Sequence, residues 1–586
     1  MPTNPGRGRR TPYVLYSIVI ALAPGCSSTP DVPLLTDTHA VSDTGSTAAP
    51  SPSIDSTGRV KPDTGTVKVD SATVKPDTSH ASPSDSTRTQ ADTTRRADTV
   101  VVPYVVTLQV TPAASTLLPG ATDLVTASAT MSDGRVTPGI PVSWSATGGS
   151  IASSGLFTAG GSPGLVSIVA VSGTVRGVAT ITIAAPLPAV STLVADDFVN
   201  SIGVNVHLGY FSSPYGTGWQ GTIVPRLSEL GVRHVRDGGT IVSDDGWMNS
   251  VYGRMQQLAS LGIHFDLVLS PAQGNTDYTS YTSFARLMQF AGPAVECFEG
   301  LNEHDLSGRT NWVAEVRSFQ PAMFAAIRGN SSTAAMQIYG PSMGHPVNAA
   351  AVGDLSRYVD LGSVHPYPGG RQPMAALADA ESRVAAIDGS HPWAVTETGY
   401  HNAMASNTDN PPVSEAAAGR YIPRLLLGDF LVGVQRTYLY ELIDEGTDQT
   451  NREQNFGLLR ADGSEKPAFV AIRNLIALLT DRGARFTPTP LRMAITGNVT
   501  GVESAVFAKR NGSYDVVLWQ EVASYNLTTK QDIAVPDHAV TLQFQGAPTL
   551  RIFIPMLSNS PQPGGGRGAT LTVNVPDHPI VIEVTP

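Results

Sequence analysis

The chain is expected to fold as a (β/α)8 barrel over residues 199–482, flanked by one β-sandwich on its N-terminal side and a second on its C-terminal side. Three observations predict this. Between residues 199 and 482, eight β-favouring runs recur about every 30 residues, most of them followed by an amphipathic run. On both sides the pattern switches to short alternating strands separated by turn residues. Finally, 586 residues exceed what one hydrophobic core can organise, so about three or four domains are expected.

The elements follow in order. Residues 1–26 read as a secretory signal, with Arg7, Arg9 and Arg10 ahead of a short apolar run from Tyr13 to Ala23. That run is too short for an ordinary spanning helix. Ala23-Pro24-Gly25-Cys26 then resembles a bacterial lipoprotein cleavage box, which implies lipidation of Cys26, although Pro24 departs from the usual pattern. The expected location is therefore extracytoplasmic, as a lipoprotein at the cell surface or in the periplasm, or else secreted. The remaining cysteine, Cys297, lies in an apolar run and reads as a small buried residue, so no disulfide framework is expected.

Residues 27–102 are rich in Ser, Thr, Asp and Pro and lack aromatic residues, and the string Val60 to Thr64 recurs at Val74 to Thr78. Such a stretch buries too little apolar surface to offset its ordering entropy, so it reads as a disordered tether. Residues 103–187 carry the first set of short strands, around Val106–Val110, Asp123–Ala127, Val142–Ser145, Val166–Ala170 and Ala179–Ile183, with Trp144 as the expected core plug.

In the barrel region strands are expected near Ser201–Asn205, His234–Arg236, Phe265–Leu269, Cys297–Leu301, Met336–Gly340, Leu361–His365, Trp393–Thr396 and Arg436–Tyr440. Helical patterns fall at Trp247–Leu261, Tyr281–Phe290, Trp312–Ile327, Ala416–Leu431 and Pro467–Leu479. A doubly wound open sheet is the rival, but the glycine-rich phosphate loop that usually follows its first strand is missing from this sequence. Residues 487–586 return to strand patterns and read as a second sandwich packed on the barrel, or alternatively as a separate carbohydrate-binding module.

Charge narrows the partners. A net charge of −11 without a basic stripe argues against nucleic acid, and against a membrane surface other than through a lipid anchor. A neutral polysaccharide or oligosaccharide is compatible. No His, Asp or Glu cluster has the sequence spacing of a metal site, so neither metal nor cofactor is expected.

Two strings carry the chemistry. Phe298 to His304 and Ala394 to Tyr400 each end an apolar run with a glutamate, Glu303 and Glu397, and Asn302 directly precedes the first. In a parallel barrel the C-terminal strand ends converge on one face, which places both carboxylates there. Paired carboxylates are what glycoside hydrolysis requires, one to protonate the leaving oxygen and one to attack carbon. Either glutamate alone reads as a solvated surface residue; the pair, with its neighbours, does not.

Asn302-Glu303 and Thr396-Glu397 on strands four and seven resemble the acid/base and nucleophile motifs of glycoside hydrolase clan A. The likeness spans about 285 residues of barrel. It implies a retaining β-glycosidase, with Glu303 as acid/base and Glu397 as nucleophile. His365-Pro366-Tyr367 resembles the clan's His-x-Tyr, whose tyrosine lies against the nucleophile. Arg236 matches an arginine that holds the nucleophile ionised. Asn302 is the implied donor to the sugar 2-hydroxyl, and His207 a further subsite contact. Tyr440 stands where many members carry a platform tryptophan. The strings Phe298 to Glu303 and Phe456 to Arg460, followed by a sandwich, look closest to family 39, with family 5 next. Residues 103–187 resemble the bacterial immunoglobulin-like domains of group 2, which implies a spacer or adhesive module.

Other residues have open readings. Glu299 is a candidate partner behind the glutamates; His304, Asp305, Glu441, Asp444 and Glu445 are loop or subsite residues; Trp219, Trp247, Tyr278 and Trp312 are stacking platforms or helix-packing residues. The rival to an enzyme is a non-catalytic cell-surface protein that binds polysaccharide on an inactive barrel. The intact glutamate pair favours the enzyme.

Overall fold

The computed structural model describes residues 102–270 and 284–586. The signal, Cys26 and almost all of the tether lie outside the described residues, as do Tyr278 and the start of the helical run expected from Tyr281. Among the described residues no helix is long and apolar enough to cross a membrane.

The barrel strands are β1 (Ile202–Asn205), β2 (His234–Gly238), β3 (His264–Val268), β4 (Val295–Glu299), β5 (Gln337–Tyr339), β6 (Gly362–Val364), β7 (Trp393–Thr398) and β8 (Thr437–Leu439). Except for β5 and β6, all pair in parallel with their sequence neighbours, and β8 pairs back onto β1. The remaining seam, between β5 and β6, is closed by a parallel bridge from Tyr339 to Leu361 and by the Gly340 N–H donating to the Leu361 carbonyl at 2.8 Å. This is a closed (β/α)8 barrel.

Side-chain alternation splits its interior into two layers. At one level Cys297, Tyr339, Leu361, Ala394 and Tyr438 form an apolar plug. Gly203 makes room for it, because a Cβ there would sit 2.3 Å from the Tyr438 ring. The plug buries Cys297 as an inert thiol. The adjacent inward positions are polar: Asn205, Arg236, Asp266, Glu299, Ser363 and Thr396 are all buried. Helices shield the outside, including Asp245–Ser260, Trp312–Gly329, Glu415–Val432 and Pro467–Leu479.

The N-terminal strands lie between Val105 and Ile183, in sheets of three, four and three strands around one apolar cluster. Its fully buried ring is Phe157, not Trp144. The reason is topological: Ser143–Ala146 is an edge strand of the four-stranded sheet, so Trp144 is half-buried and packs on the cluster from the side.

The C-terminal strands form sheets of four and six. Two features escape sequence patterning. Ser558–Arg567, rich in Gly and Pro, is a strand, and it lies at the edge of the six-stranded sheet where missing N–H groups are tolerated. The chain ahead of the barrel also joins these sheets: Ala189–Val190 pairs with Leu491 and Arg492, and Leu193–Val194 with Phe507 and Ala508.

One buried cation ties the barrel to this sandwich. Arg424, on helix Glu415–Val432, is fully buried, donating to Glu521 at 2.6 and 3.1 Å, to Ser524 Oγ, and to the carbonyls of Val522 and Asp577. Removing one partner of a buried pair strands the other, at about 3–5 kcal/mol. Arg424→Ala should therefore lower the urea midpoint by a corresponding amount. An unchanged midpoint would mean that apolar packing alone holds the sandwich on the barrel.

Candidate active site

The site grows out of the polar layer. β2 carries Arg236 inward, and burial of a guanidinium requires that its donors be matched. They are matched by four acceptors: Glu299 Oε2 at 2.5 Å, Asn205 Oδ1 at 2.9 Å, Glu397 Oε1 at 2.7 Å and Asn302 Oδ1 at 2.6 Å. These come from β4, β1, β7 and the loop after β4. Arg236 thus fixes residues from three strands and one loop against each other.

Glu299 is the hidden carboxylate. It is wholly buried and also accepts from Ser363 Oγ at 2.8 Å and Thr396 Oγ1 at 3.0 Å. The strand stops at Glu299 and the chain turns, so Glu299 and Glu303 do not share a face as regular strand spacing would require. Gly300 permits the turn, since a Cβ there would meet Gln320 Oε1 at 2.2 Å. Glu303 then adopts φ 42°, a left-handed conformation uncommon for a residue with a side chain. Strain of this kind gathers at functional sites.

Glu397 sits near the end of β7 and is 9% exposed. Besides Arg236, it accepts a hydrogen bond from the Tyr367 hydroxyl at 2.9 Å. Burial by itself pushes its carboxyl up, but His365, Arg236 and the Tyr367 hydrogen bond outweigh this and hold it below the ordinary glutamate range. Glu303 is more open, with 26% of its side chain exposed. Its Oε1 lies 2.7 Å from His365 Nδ1, which is itself 3.7 Å from Glu397 Oε2. One oxygen of Glu303, one of Glu397 and an imidazole nitrogen of His365 all fall within 4.8 Å of one another.

His365 stands between the two acids. Its Nε2 is 3.0 Å from Thr396 Oγ1, whose own proton goes to Glu299. That assignment leaves Nε2 as the donor and points Nδ1 at Glu303. Burial pushes the imidazole down, yet the charges of Glu397 and then Glu303 raise it above its ordinary value. A proton is thereby kept next to Glu303 while Glu397 stays charged. Such a pair, with one carboxyl stabilised as an anion and the other more open and in hydrogen-bond contact with an imidazole, has the parts to attack one side of a carbon centre and protonate a leaving group on the other.

The other expected residues are also placed. Asn302 is exposed and bonds Arg236. Tyr440 packs edge-on against Tyr367 and Phe456, and His207 packs against Tyr440. Asp305 holds the loop after β5 through Gly344, His345 and Asn348, and His304 bonds Glu315. Trp219 is not a platform, because it is buried with its Nε1 bonded to Gln257 and Arg254 lying over its ring. Trp312 opens a helix, and Trp247 packs edge-on against Phe211. Sequence reading missed Asn205, Ser363 and Asp266, and named Thr396 only as the neighbour of Glu397. Their signal was a polar residue inside an apolar barrel run, which also describes an ordinary outward position.

No family model matches the chain, and no curated protein matches it. Among solved structures the chain is similar to a family 39 glycoside hydrolase from Bacteroides cellulosilyticus, at 14% identity and a TM-score of 0.46 over 82% of this chain and all of that one. It is also similar to a glucosidase from Croceicoccus marinus, at 13% identity and a TM-score of 0.47 over 68% and 98%. A family 2 β-galacturonidase from Eisenbergiella tayi follows at 13% identity and a TM-score of 0.36, over 66% and 73%. Likenesses this distant assign no activity to this chain.

The electrostatics set a pH signature. His365, raised above 6.5, contributes stability that is complete below that value and fades as pH rises through its folded pKa. Glu397, lowered below 4.5, contributes stability present above that value and lost as pH falls through its folded pKa. Glu397→Gln should therefore lower the His365 pKa, read from imidazole NMR shifts, and shrink the stability advantage at pH 6 over pH 8. An unmoved His365 titration would break the link between the two groups.

Proposed function

We propose that this chain is a retaining β-glycosidase that cleaves a polysaccharide or oligosaccharide by double displacement. The approach of Glu303 and Glu397 to within 4.8 Å carries this reading. Retaining enzymes hold their carboxyl groups about 5–5.5 Å apart, whereas inverting enzymes leave about 6.5–9.5 Å for a water. The unequal environments of the two acids support the same division of labour, and the motif resemblance to clan A supports the β configuration and the likeness to family 39.

In this reading Glu397 attacks the anomeric carbon through a carboxylate oxygen, and the bond from that carbon to the leaving oxygen breaks. Glu303 gives its proton to the leaving oxygen. A water then loses a proton to Glu303 and attacks the same carbon, releasing Glu397. Two substitutions of opposite sense give net retention. Tyr367 and Arg236 relinquish part of their charge stabilisation as Glu397 becomes an ester, and recover it on hydrolysis. Asn302, held by Arg236, is the donor assigned to the sugar 2-hydroxyl.

The rest of the chain fits a surface enzyme. Residues 1–26 export it, Cys26 carries the lipid, residues 27–102 form the tether, and the strands of 103–187 act as an immunoglobulin-like spacer.

The decisive experiment uses aryl and alkyl β-glycosides chosen from a sugar panel. Glu397→Ala should abolish turnover, and azide should restore it to give an α-glycosyl azide. A β-azide would exchange the two roles. Glu303→Gln should spare substrates with good leaving groups and cost poor ones about 10²–10⁴-fold. Equal loss in both classes would remove Glu303 as the acid, and a wild type inactive on every substrate while retaining polysaccharide binding would favour the non-catalytic alternative. For the anchor, Cys26→Ser should move the protein from the membrane to the soluble fraction; persistent membrane association would rule the lipid out.

A further inference from the structure

Beside the glutamate pair lies a second convergence that the proposed reaction does not use. His207 follows β1, while Glu441 and Glu445 follow β8, and the pairing of these two strands brings the three together. His207 Nε2 is 3.4 Å from Glu441 Oε2 and 3.9 Å from Glu445 Oε1. One ligand atom from each of the three lies within 4.8 Å of the others.

Three facts separate this cluster from an ordinary acidic surface. Glu441 is 0% exposed, and its Oε1 has no hydrogen-bond partner; the same holds for the buried atoms His207 Nε2 and Glu445 Oε1. Orphaned polar atoms in a protein interior are costly and call for a partner. Among the described residues, His207 is the only basic side chain within 4 Å of either carboxylate. Neighbouring Asp444 is paired away from the cluster, with Lys466 at 2.8 Å.

The His207–Glu441 spacing fits a shared ion. At 3.4 and 3.9 Å the groups are too far apart to hydrogen-bond one another well. Imidazole nitrogen and carboxylate oxygen each about 2.0–2.2 Å from a tetrahedral ion would stand roughly 3.4 Å apart. The ligands are also held in place. The Tyr215 hydroxyl donates to Glu441 Oε2 at 2.9 Å, as an outer partner of a metal carboxylate does. The His207 ring stacks on Tyr210 with centroids 4.6 Å apart, and Tyr215 meets it edge-on.

We propose that His207, Glu441 and Glu445 form a divalent-cation site between the ends of β1 and β8, one aromatic layer from the Glu303–Glu397 pair. The layer is Tyr440, which packs on both His207 and Tyr367. One imidazole and two carboxylates select a borderline ion such as zinc or manganese over calcium, which prefers oxygen ligands alone. The remaining coordination position takes water or a substrate oxygen. The cation would give the orphaned His207 Nε2 and Glu445 Oε1 a partner.

Metal binding tests this without reference to the hydrolytic reading. The full chain, stripped with chelator and dialysed, is titrated calorimetrically with zinc, manganese and calcium chlorides, and bound metal is counted by mass spectrometry after gel filtration. Zinc or manganese should bind at one equivalent and raise Tm, with calcium at least tenfold weaker. Glu445→Gln and His207→Ala should each weaken binding more than tenfold, and Tyr215→Phe by about 10–100-fold. Glu303→Gln should leave the affinity unchanged, which separates this cluster from the Glu303–His365–Glu397 group. Absence of stoichiometric uptake by the wild type, uptake that survives Glu445→Gln and His207→Ala, or uptake lost in Glu303→Gln would each overturn the proposal.

Discussion

The Arg236 guanidinium is the constraint on which the rest of the site depends. A cation buried at 4% exposure must be surrounded by acceptors, and Arg236 draws them from β1, β4, β7 and the loop after β4. Each acceptor then inherits a position. Glu397 is oriented by it, Asn302 is turned by it, and Glu299 is anchored behind both. Asp266, below this group, shows the opposite case: burial and then the charge of Glu299 push its carboxyl well above the ordinary range, with no hydrogen-bond partner for either oxygen. The polar layer is therefore balanced locally, around one cation, and not by an even pairing of charges.

That layer could not exist in a looser scaffold. The apolar plug beneath it excludes water from one side, and the closed strand ring excludes it laterally. Within such an enclosure a hydrogen bond to a charged group is worth more than in water, and an unmatched one costs more. His365 shows the outcome: buried among two acids and a threonine network, it holds its proton to higher pH than a free imidazole because of their charges.

Much of this was legible in the sequence. Glu303, Glu397, His365 and Tyr367 fall at or just beyond the ends of apolar runs, and the topology of a parallel barrel sends all such ends to one face. Arg236 was legible for the same reason. Asn205 and Ser363 were not, because a polar residue inside a strand run looks the same whether it faces solvent or an enclosed network. The His207, Glu441 and Glu445 cluster was hidden by distance along the chain: only the closure of β8 onto β1 makes neighbours of its parts. The strand Ser558–Arg567 was hidden by its glycines and prolines, which an edge position accommodates.

The pairing of Leu193–Val194 with Phe507 and Ala508 has a consequence for how the protein is made. The two strand segments ahead of the barrel leave the ribosome long before their partners. They must wait, unpaired, while the whole barrel is synthesised. Five strands of the six-stranded sheet come from beyond the barrel, and Leu193–Val194 completes its edge once the entrance and exit of the barrel lie close together. A chain arrested within the barrel would display an orphan edge at Leu193, open to the same segment of another nascent copy. The order of synthesis thus leaves the edges of the C-terminal sandwich as the last positions to be filled.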